Sequence, residues 1–138
     1  MDFSYLDDWI EEGTGAGEIE EIGDGYRNIW VAAEVVNDTL LPAALATMGQ
    51  ARELADQIGV HAYGLLFGEG VEPLATPLIA YGADKVLVVD DPVFAGYQPE
   101  VYVIAMAELV EQYRPEIVLM PASVLGNDLA PRLAQRLN

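Results

Sequence analysis

Cysteine is absent from the 138 residues. That excludes a disulfide framework, a thiolate metal site, an iron–sulfur cluster and a cysteine nucleophile, so any redox work needs a bound cofactor. Histidine is nearly absent too. His61 is the single example, and neither a Ser–His–acid triad nor a paired-histidine metal site can be assembled from it. On its apolar strand it reads as a packed or edge residue with one hydrogen bond. Positive charge is scarce: six Lys and Arg stand against 23 Asp and Glu, for a formal net charge of −17. A nucleic-acid backbone or an anionic membrane surface repels such a chain, whereas a basic protein suits it. No uninterrupted apolar run approaches the roughly 20 residues of a membrane-spanning helix. The acidic start, MDFSYLDDWIEE, fits neither a secretory signal nor an Arg-rich transit peptide. A soluble, cytoplasmic protein with no nucleic-acid partner and no membrane insertion is therefore expected.

Apolar residues are plentiful at 52%, enough for the core of one domain. Composition changes sharply near Arg27. Before it lie Asp2, Asp7, Asp8, Glu11, Glu12, Glu18, Glu20, Glu21 and Asp24, interspersed with glycines. Residues 1–27 read as an acidic extension or linker and residues 28–138 as the domain proper. Phe3, Leu6, Trp9 and Ile10 fall at helical spacing within the extension. They suit either a short amphipathic helix on a tether or, the reading we favour, a frayed tail.

From Ile29 onward one theme recurs. IWVAAEV precedes a helix from about Pro42 to Ile58, stopped by Gly59, with Leu41, Ala44, Leu45, Met48, Ala55 and Ile58 able to share one face. VHAYGLLF precedes an irregular helical stretch that ends at Gly82, in which Pro77 should force a kink or a restart. KVLVVD precedes a helix from about Pro99 to Tyr113, and EIVLM one carrying Leu129, Ala130, Leu133, Ala134 and Leu137 on one face. Strands separated by helix-length connections cannot pair as hairpins, and runs such as VLVV and IVLM indicate burial on both faces. A parallel sheet covered on both sides follows, an α/β fold of the three-layer α/β/α sandwich type. In the third helix the apolar residues span about 200° rather than the usual stripe of about 100°, which points to cover beyond the sheet by a partner subunit or an absent later segment, or else to Ala and Tyr left tolerably in solvent.

Candidate chemistry is thin. GTGAG, from Gly13 to Gly17, has no strand before it and reads as a linker. Gly68 begins a GEG turn between strand and helix but lacks the third glycine and the lysine of nucleotide fingerprints. Asp90 and Asp91 end a strand before Pro92, where capping the next loop is the expected role. The best-placed loop runs from Pro121 to Gly126 and leads into Asn127, because open α/β sheets bind ligands at strand carboxyl ends and a helix start favours an anion. There Ser123 offers a hydroxyl donor in a loop that ends at Gly126. Asn127 or Asp128 is expected to cap the helix itself, with Arg132 paired to Asp128 across one turn or balancing its charge against a ligand. Gly68, Ser123, Gly126, Asn127, Asp128 and Arg132 are thus the weak cofactor-site candidates, with self-capping favoured over ligand binding; no catalytic or metal-binding residue is expected.

Six phrases carry a resemblance: IWVAAE, ARELADQIG, LLFGEGVEPLA, LIAYGADKVLVVDDP, YRPEIVLMPAS and LGNDLAPRLAQRL. In this order they resemble the amino-terminal domain of the alpha subunit of electron transfer flavoproteins, from about Ile29 to Asn138. YGADKV and G-x-D-L-A-P-R-L-A are the specific parts. The resemblance implies an adenine-nucleotide-hydrolase-like fold with leading strand order 3-2-1-4, so that Ala33 and Glu34 face the Ser123 loop. It implies a partner beta subunit and a complex that carries electrons through FAD from dehydrogenases to an acceptor. The flavin would be held mainly by polypeptide outside this segment, and none is expected on the isolated chain. The chain would then be a structural and docking module, not an enzyme, and either a piece of a longer subunit or a free-standing relative. Ferredoxin-like extensions of some relatives are excluded by the missing cysteines. The rival reading is a universal-stress-protein-like module holding ATP or AMP through the Gly68 and Ser123 loops.

Overall fold

A computed structural model describes Ile10–Gly13 and residues 25–138, with side-chain surroundings for the latter range. Four strands form the predicted parallel core: β2 (Ile29–Ala33), β5 (Ala62–Gly68), β6 (Lys85–Asp90) and β7 (Ile117–Leu119). They lie in the order β6-β5-β2-β7, all parallel. Numbered by appearance among the parallel strands, this is 3-2-1-4, as the resemblance implied.

The acidic extension departs from its expected form. Ile10–Gly13 is a strand, β1, that pairs antiparallel with the outer edge of β6, Ile10 opposite Val89 and Gly13 opposite Val86. Phe3, Leu6 and Trp9 of the proposed helix lie outside the described residues. Ile10 belongs to a strand because β6 offers an open row of backbone donors and acceptors, which a four-residue segment satisfies without needing a face of its own.

Residue alternation along the strands divides the core in two. Ile29 and Val31 of β2, Leu66 of β5, and Val86 and Val88 of β6 face helices α1 (Pro42–Ile58) and α2 (Ala75–Ala80). Trp30, Leu65 and Leu87 face α3 (Pro99–Tyr113) and α4 (Val124–Leu137). Helix α1 presents Ala44, Met48, Ala51 and Ala55 to the sheet, a stripe of small residues around one long side chain. Pro42 occupies its first turn, and Gly59, at φ +71°, ends it by donating its N–H to the Ala55 carbonyl. Ile58 leaves the predicted face and is 47% exposed at the last position of the helix. The second helical stretch is broken as expected. A 3₁₀ turn over Glu72–Leu74 precedes α2, which places Pro77 in a first turn where its missing N–H is tolerated.

The broad face of α3 has a local explanation that corrects the expectation of outside cover. Val103, Met106, Ala107, Leu109 and Val110 are buried in one cluster with Trp30 and with Leu129 and Leu133 of α4. Sheet and α4 together use the whole arc. Conversely, Ala130, Ala134 and Leu137 of α4 stay exposed, since α4 borders the edge strand β7 and has no neighbour on that side among the described residues.

At the amino edge, Arg52 of α1 donates to Asp84 (2.7 Å) and to Asp56 (2.6 Å). Asp84 also accepts the Ala62 N–H at 2.9 Å, so one carboxylate joins α1, β5 and the turn before β6. Burial pushes the Asp84 carboxyl up, but the Ala62 N–H and the Arg52 guanidinium outweigh it and hold the group below its ordinary value. His61 stands beside this cluster, Nδ1 3.4 Å from Asp84, with its ring stacked on Tyr63. It is a half-exposed edge residue. Among the described residues no helix is long and apolar enough to cross a membrane.

Candidate functional site

The carboxyl edge gathers the loops after the parallel strands. After β2, Glu34 leads into a small hairpin of β3 (Val35–Val36) and β4 (Thr39–Leu40). Its turn residues Asn37 and Asp38 both have positive φ, the twist-matched geometry that Asn and Asp tolerate best. Because β2 and β7 are neighbours, Glu34 reaches the start of α4, where the Ser123 hydroxyl donates to its carboxylate.

Ser123 is the actual N-cap of α4, correcting the assignment of that role to Asn127 or Asp128. Its Oγ accepts the Gly126 N–H at 3.0 Å. The helix begins earlier than its apolar pattern indicates, at Val124, because Ser123 is the extended residue whose oxygen lies within reach of the first free N–H groups. Gly126 packs against the β7 exit so tightly that a Cβ there would lie 2.0 Å from the Pro121 carbonyl oxygen. Asn127 is exposed. Asp128 accepts from Tyr97 Oη at 2.7 Å and from Arg132 Nε at 3.1 Å, the one-turn pairing that its spacing predicts. Tyr97 and then Arg132 hold the Asp128 carboxyl below its ordinary value.

The Gly68 turn is likewise committed. The Asp90 carboxylate accepts the N–H groups of Gly70 (2.9 Å) and Val71 (3.1 Å), while Asp91 caps the following turn through Val93 N (2.8 Å). Asp91 plays the predicted role of capping the loop that follows its strand, whereas Asp90 reaches across to the turn after β5.

Between these loops lies a cavity of about 330 Å³, walled by Phe67, Tyr97, Tyr102 and Leu125 and bordered by Asp38 and Glu69. Phe94 and Tyr102 meet edge to face with ring centroids 5.5 Å apart, and the Tyr102 hydroxyl donates to the Phe94 carbonyl at 2.8 Å. Burial pushes the Tyr102 phenol up to about 12. Burial, followed by the hydrogen bond to Asp128, pushes Tyr97 up to about 12 as well.

The structure thus brings Gly68, Ser123, Gly126, Asp128 and Arg132 to one edge, yet their donors are turned inward. At the start of α4 the Ser123 hydroxyl is taken by the Glu34 carboxylate, a negative charge that opposes a phosphate there. The N–H groups after Gly68 hold Asp90, and Arg132 holds Asp128. A flavin or adenine dinucleotide brings a pyrophosphate, and the described residues do not fit it. Tyr97 and the inward role of Asp90 were missed from sequence. An aromatic within a Pro- and Gly-containing loop was the only signal for Tyr97, and chain order alone does not say which loop it meets.

A second feature flanks β7, whose outer edge pairs with no strand among the described residues. Beside it runs an open groove of about 660 Å³, bounded by Tyr26, Val118, Met120, Leu133, Ala134 and Leu137.

A parallel sheet in the order 3-2-1-4 with helices on both faces defines the α/β sandwich class of domain. Residues 29–138 match the family described as the electron transfer flavoprotein domain, and the chain belongs to that family. It is 46% identical over 112 residues to the electron transfer flavoprotein subunit alpha of Thermoanaerobacterium thermosaccharolyticum, covering 81% of this chain and 34% of that protein. Protein FixB of Rhizobium meliloti is 37% identical over 116 residues, 81% of this chain and 33% of its own length. The acryloyl-CoA reductase electron transfer subunit beta of Anaerotignum propionicum is 36% identical over 115 residues, 83% of this chain and 31% of its own. The chain spans about a third of the length of these relatives.

Proposed function

We propose that residues 28–138 are the amino-terminal structural and subunit-docking domain of an electron transfer flavoprotein alpha subunit, with residues 1–27 an acidic extension. On this reading the chain is an electron-carrier subunit of the cytoplasm and is non-catalytic by itself. Its complex with a beta subunit passes electrons through FAD from dehydrogenases to an acceptor, and the flavin is held mainly by polypeptide outside these residues. The observation that carries the docking role is the outer edge of β7, which no strand pairs among the described residues, beside a groove with apolar walls. A half-buried parallel strand at a sheet margin with apolar surface next to it is a place where further polypeptide adds. The Glu34 carboxylate at the start of α4 argues against the adenine-nucleotide module, since a phosphate there would meet a negative charge.

The test is purification of the 138-residue chain, titration with FAD, AMP and ATP by calorimetry, and capture of the beta subunit by the complete alpha subunit. A colourless chain with no specific uptake of any of the three, and a stable complex with the beta subunit, is expected. A yellow chain with a flavin spectrum, or tight AMP or ATP binding, would defeat the reading.

A further inference from the structure

We propose that β1 is a built-in guard strand: residues 10–13 of the acidic extension occupy the outer edge of β6 and keep it from pairing with the β6 edge of a second copy of this chain. This gives part of the extension a role of its own and does not rest on the proposed function.

The edge that β1 covers is the more hazardous of the two sheet margins. β6 runs for six residues, KVLVVD, against three for β7. Its central Val86, Leu87, Val88 and Val89 are buried, and no proline, glycine or charge interrupts them. Left bare, a strand of this composition offers a row of N–H and C=O groups to any extended chain. A second β6 suits it best, because identical apolar, β-branched strands pair without meeting a charge or a breaker. β1 lies opposite these four positions and no others, from Ile10 against Val89 to Gly13 against Val86.

The strand that takes the place of β6 at the margin has the reverse character. Its sequence is IEEG, and glutamate and glycine are poor strand formers. β1 is therefore held by what it pairs with and not by its own propensity. A second copy approaching this margin finds a four-residue strand with Glu11 and Glu12 at its centre. Two such strands laid side by side set glutamate against glutamate.

The connection favours closure within one chain. Because β1 runs antiparallel to β6, it ends beside Val86, at the same sheet edge where β2 begins with Ile29. From Gly13 to Ile29 the chain passes three strand spacings, about 14 Å, without crossing the sheet. Residues 14–28 can reach about 50 Å when extended. A tether of that length presents its strand at an effective concentration of about a millimolar, so at micromolar chain concentration the chain's own β1 prevails over a neighbour's β6.

The test uses the 138-residue chain, with sedimentation and hydrogen exchange of the β6 amides that point away from β5 read at micromolar and near-millimolar concentration. Glu11→Pro together with Glu12→Pro removes the pairing, because one of two adjacent residues in an antiparallel ladder directs its N–H at the partner strand. Glu20→Pro together with Glu21→Pro, in the same extension but outside the described residues, is the control. At micromolar concentration the β1 variant should exchange those amides at least roughly tenfold faster than wild type. Near a millimolar they should become protected again while the sedimenting mass rises above that of wild type. Wild type and control should keep one level of protection at both concentrations. Circular dichroism melting reports folding; if the double variant is unfolded, the chain lacking residues 2–13 is read in its place, and failure of that chain to fold would make β1 part of the core and overturn the proposal. Amides as protected in the variant as in wild type would show that β1 does not hold the edge. Exposed amides with no added association would show that it guards nothing, and either result overturns the proposal.

Discussion

The same chemical change at two glycines should shift stability in opposite directions. Gly126 sits in the first turn of α4, where an added Cβ would lie 2.0 Å from the Pro121 carbonyl oxygen and 3.3 Å from Ser123 Oγ. Carbon–oxygen contacts settle near roughly 3.3 Å, so the β7 exit and the helix must part by more than about 1 Å. Parting them pulls Gly126 N–H from its cap. Overpacking costs about 1–3 kcal/mol and a lost cap about 1 kcal/mol, giving about 2–4 kcal/mol for Gly126→Ala. Gly49 lies within α1 with nothing inside 4 Å of its added Cβ. There Gly49→Ala removes only the backbone freedom of the unfolded glycine and gains about 0.5–1 kcal/mol. For a domain of this size about 4 °C per kcal/mol is expected, so Gly126→Ala should melt about 8–16 °C lower and Gly49→Ala a few degrees higher. Circular dichroism melts, supported by urea titration at constant m-value, decide the matter. A loss below about 1 kcal/mol at Gly126, or shifts of one sign at both positions, would refute the close packing of α4 on the β7 exit.

Two pH dependences follow from the charged and phenolic groups. The folded-state carboxyl of Asp84 lies below its ordinary value, so its contribution is present above the unfolded value of about 3.9 and is lost as pH falls through the folded one. Melting temperature from neutral pH into the acid range should drop more steeply for wild type than for Asp84→Asn; equal slopes would remove Asp84 from the amino-edge clamp. Tyr97 and Tyr102 are raised to about 12, so the fold disfavours their phenolates, and the stability they add is intact below about pH 10 and lost as pH rises towards about 12. Ultraviolet tyrosinate titration should show Tyr97 and Tyr102 ionising late, and Tyr102→Phe should remove one late ionisation.

Most of the architecture was legible because it rests on local patterns. Gly59 and Pro42 bound α1 where the helix signals put them, and the VLVV and IVLM runs lie in a parallel sheet. The errors share a cause: they concern neighbours that periodicity cannot name. The wide face of α3 pointed to missing cover because nothing in its own spacing reveals that α4 lies against it. Ile10 fitted a helical stripe until an unfilled sheet edge was within reach. The candidate site was found as a place but misread in its wiring. Ser123, Asp128 and Arg132 do meet there, yet only the 3-2-1-4 order brings Glu34 to Ser123 and turns an apparent anion site into a self-satisfied one.

The two margins of the sheet differ, and that gives it a direction of growth. On one side β1 lies antiparallel on β6; on the other, β7 has no neighbour among the described residues. Pairing through β7 uses one margin only: two copies joined there leave β1, a four-residue strand too short to template long pairing, at each end of the joined sheet.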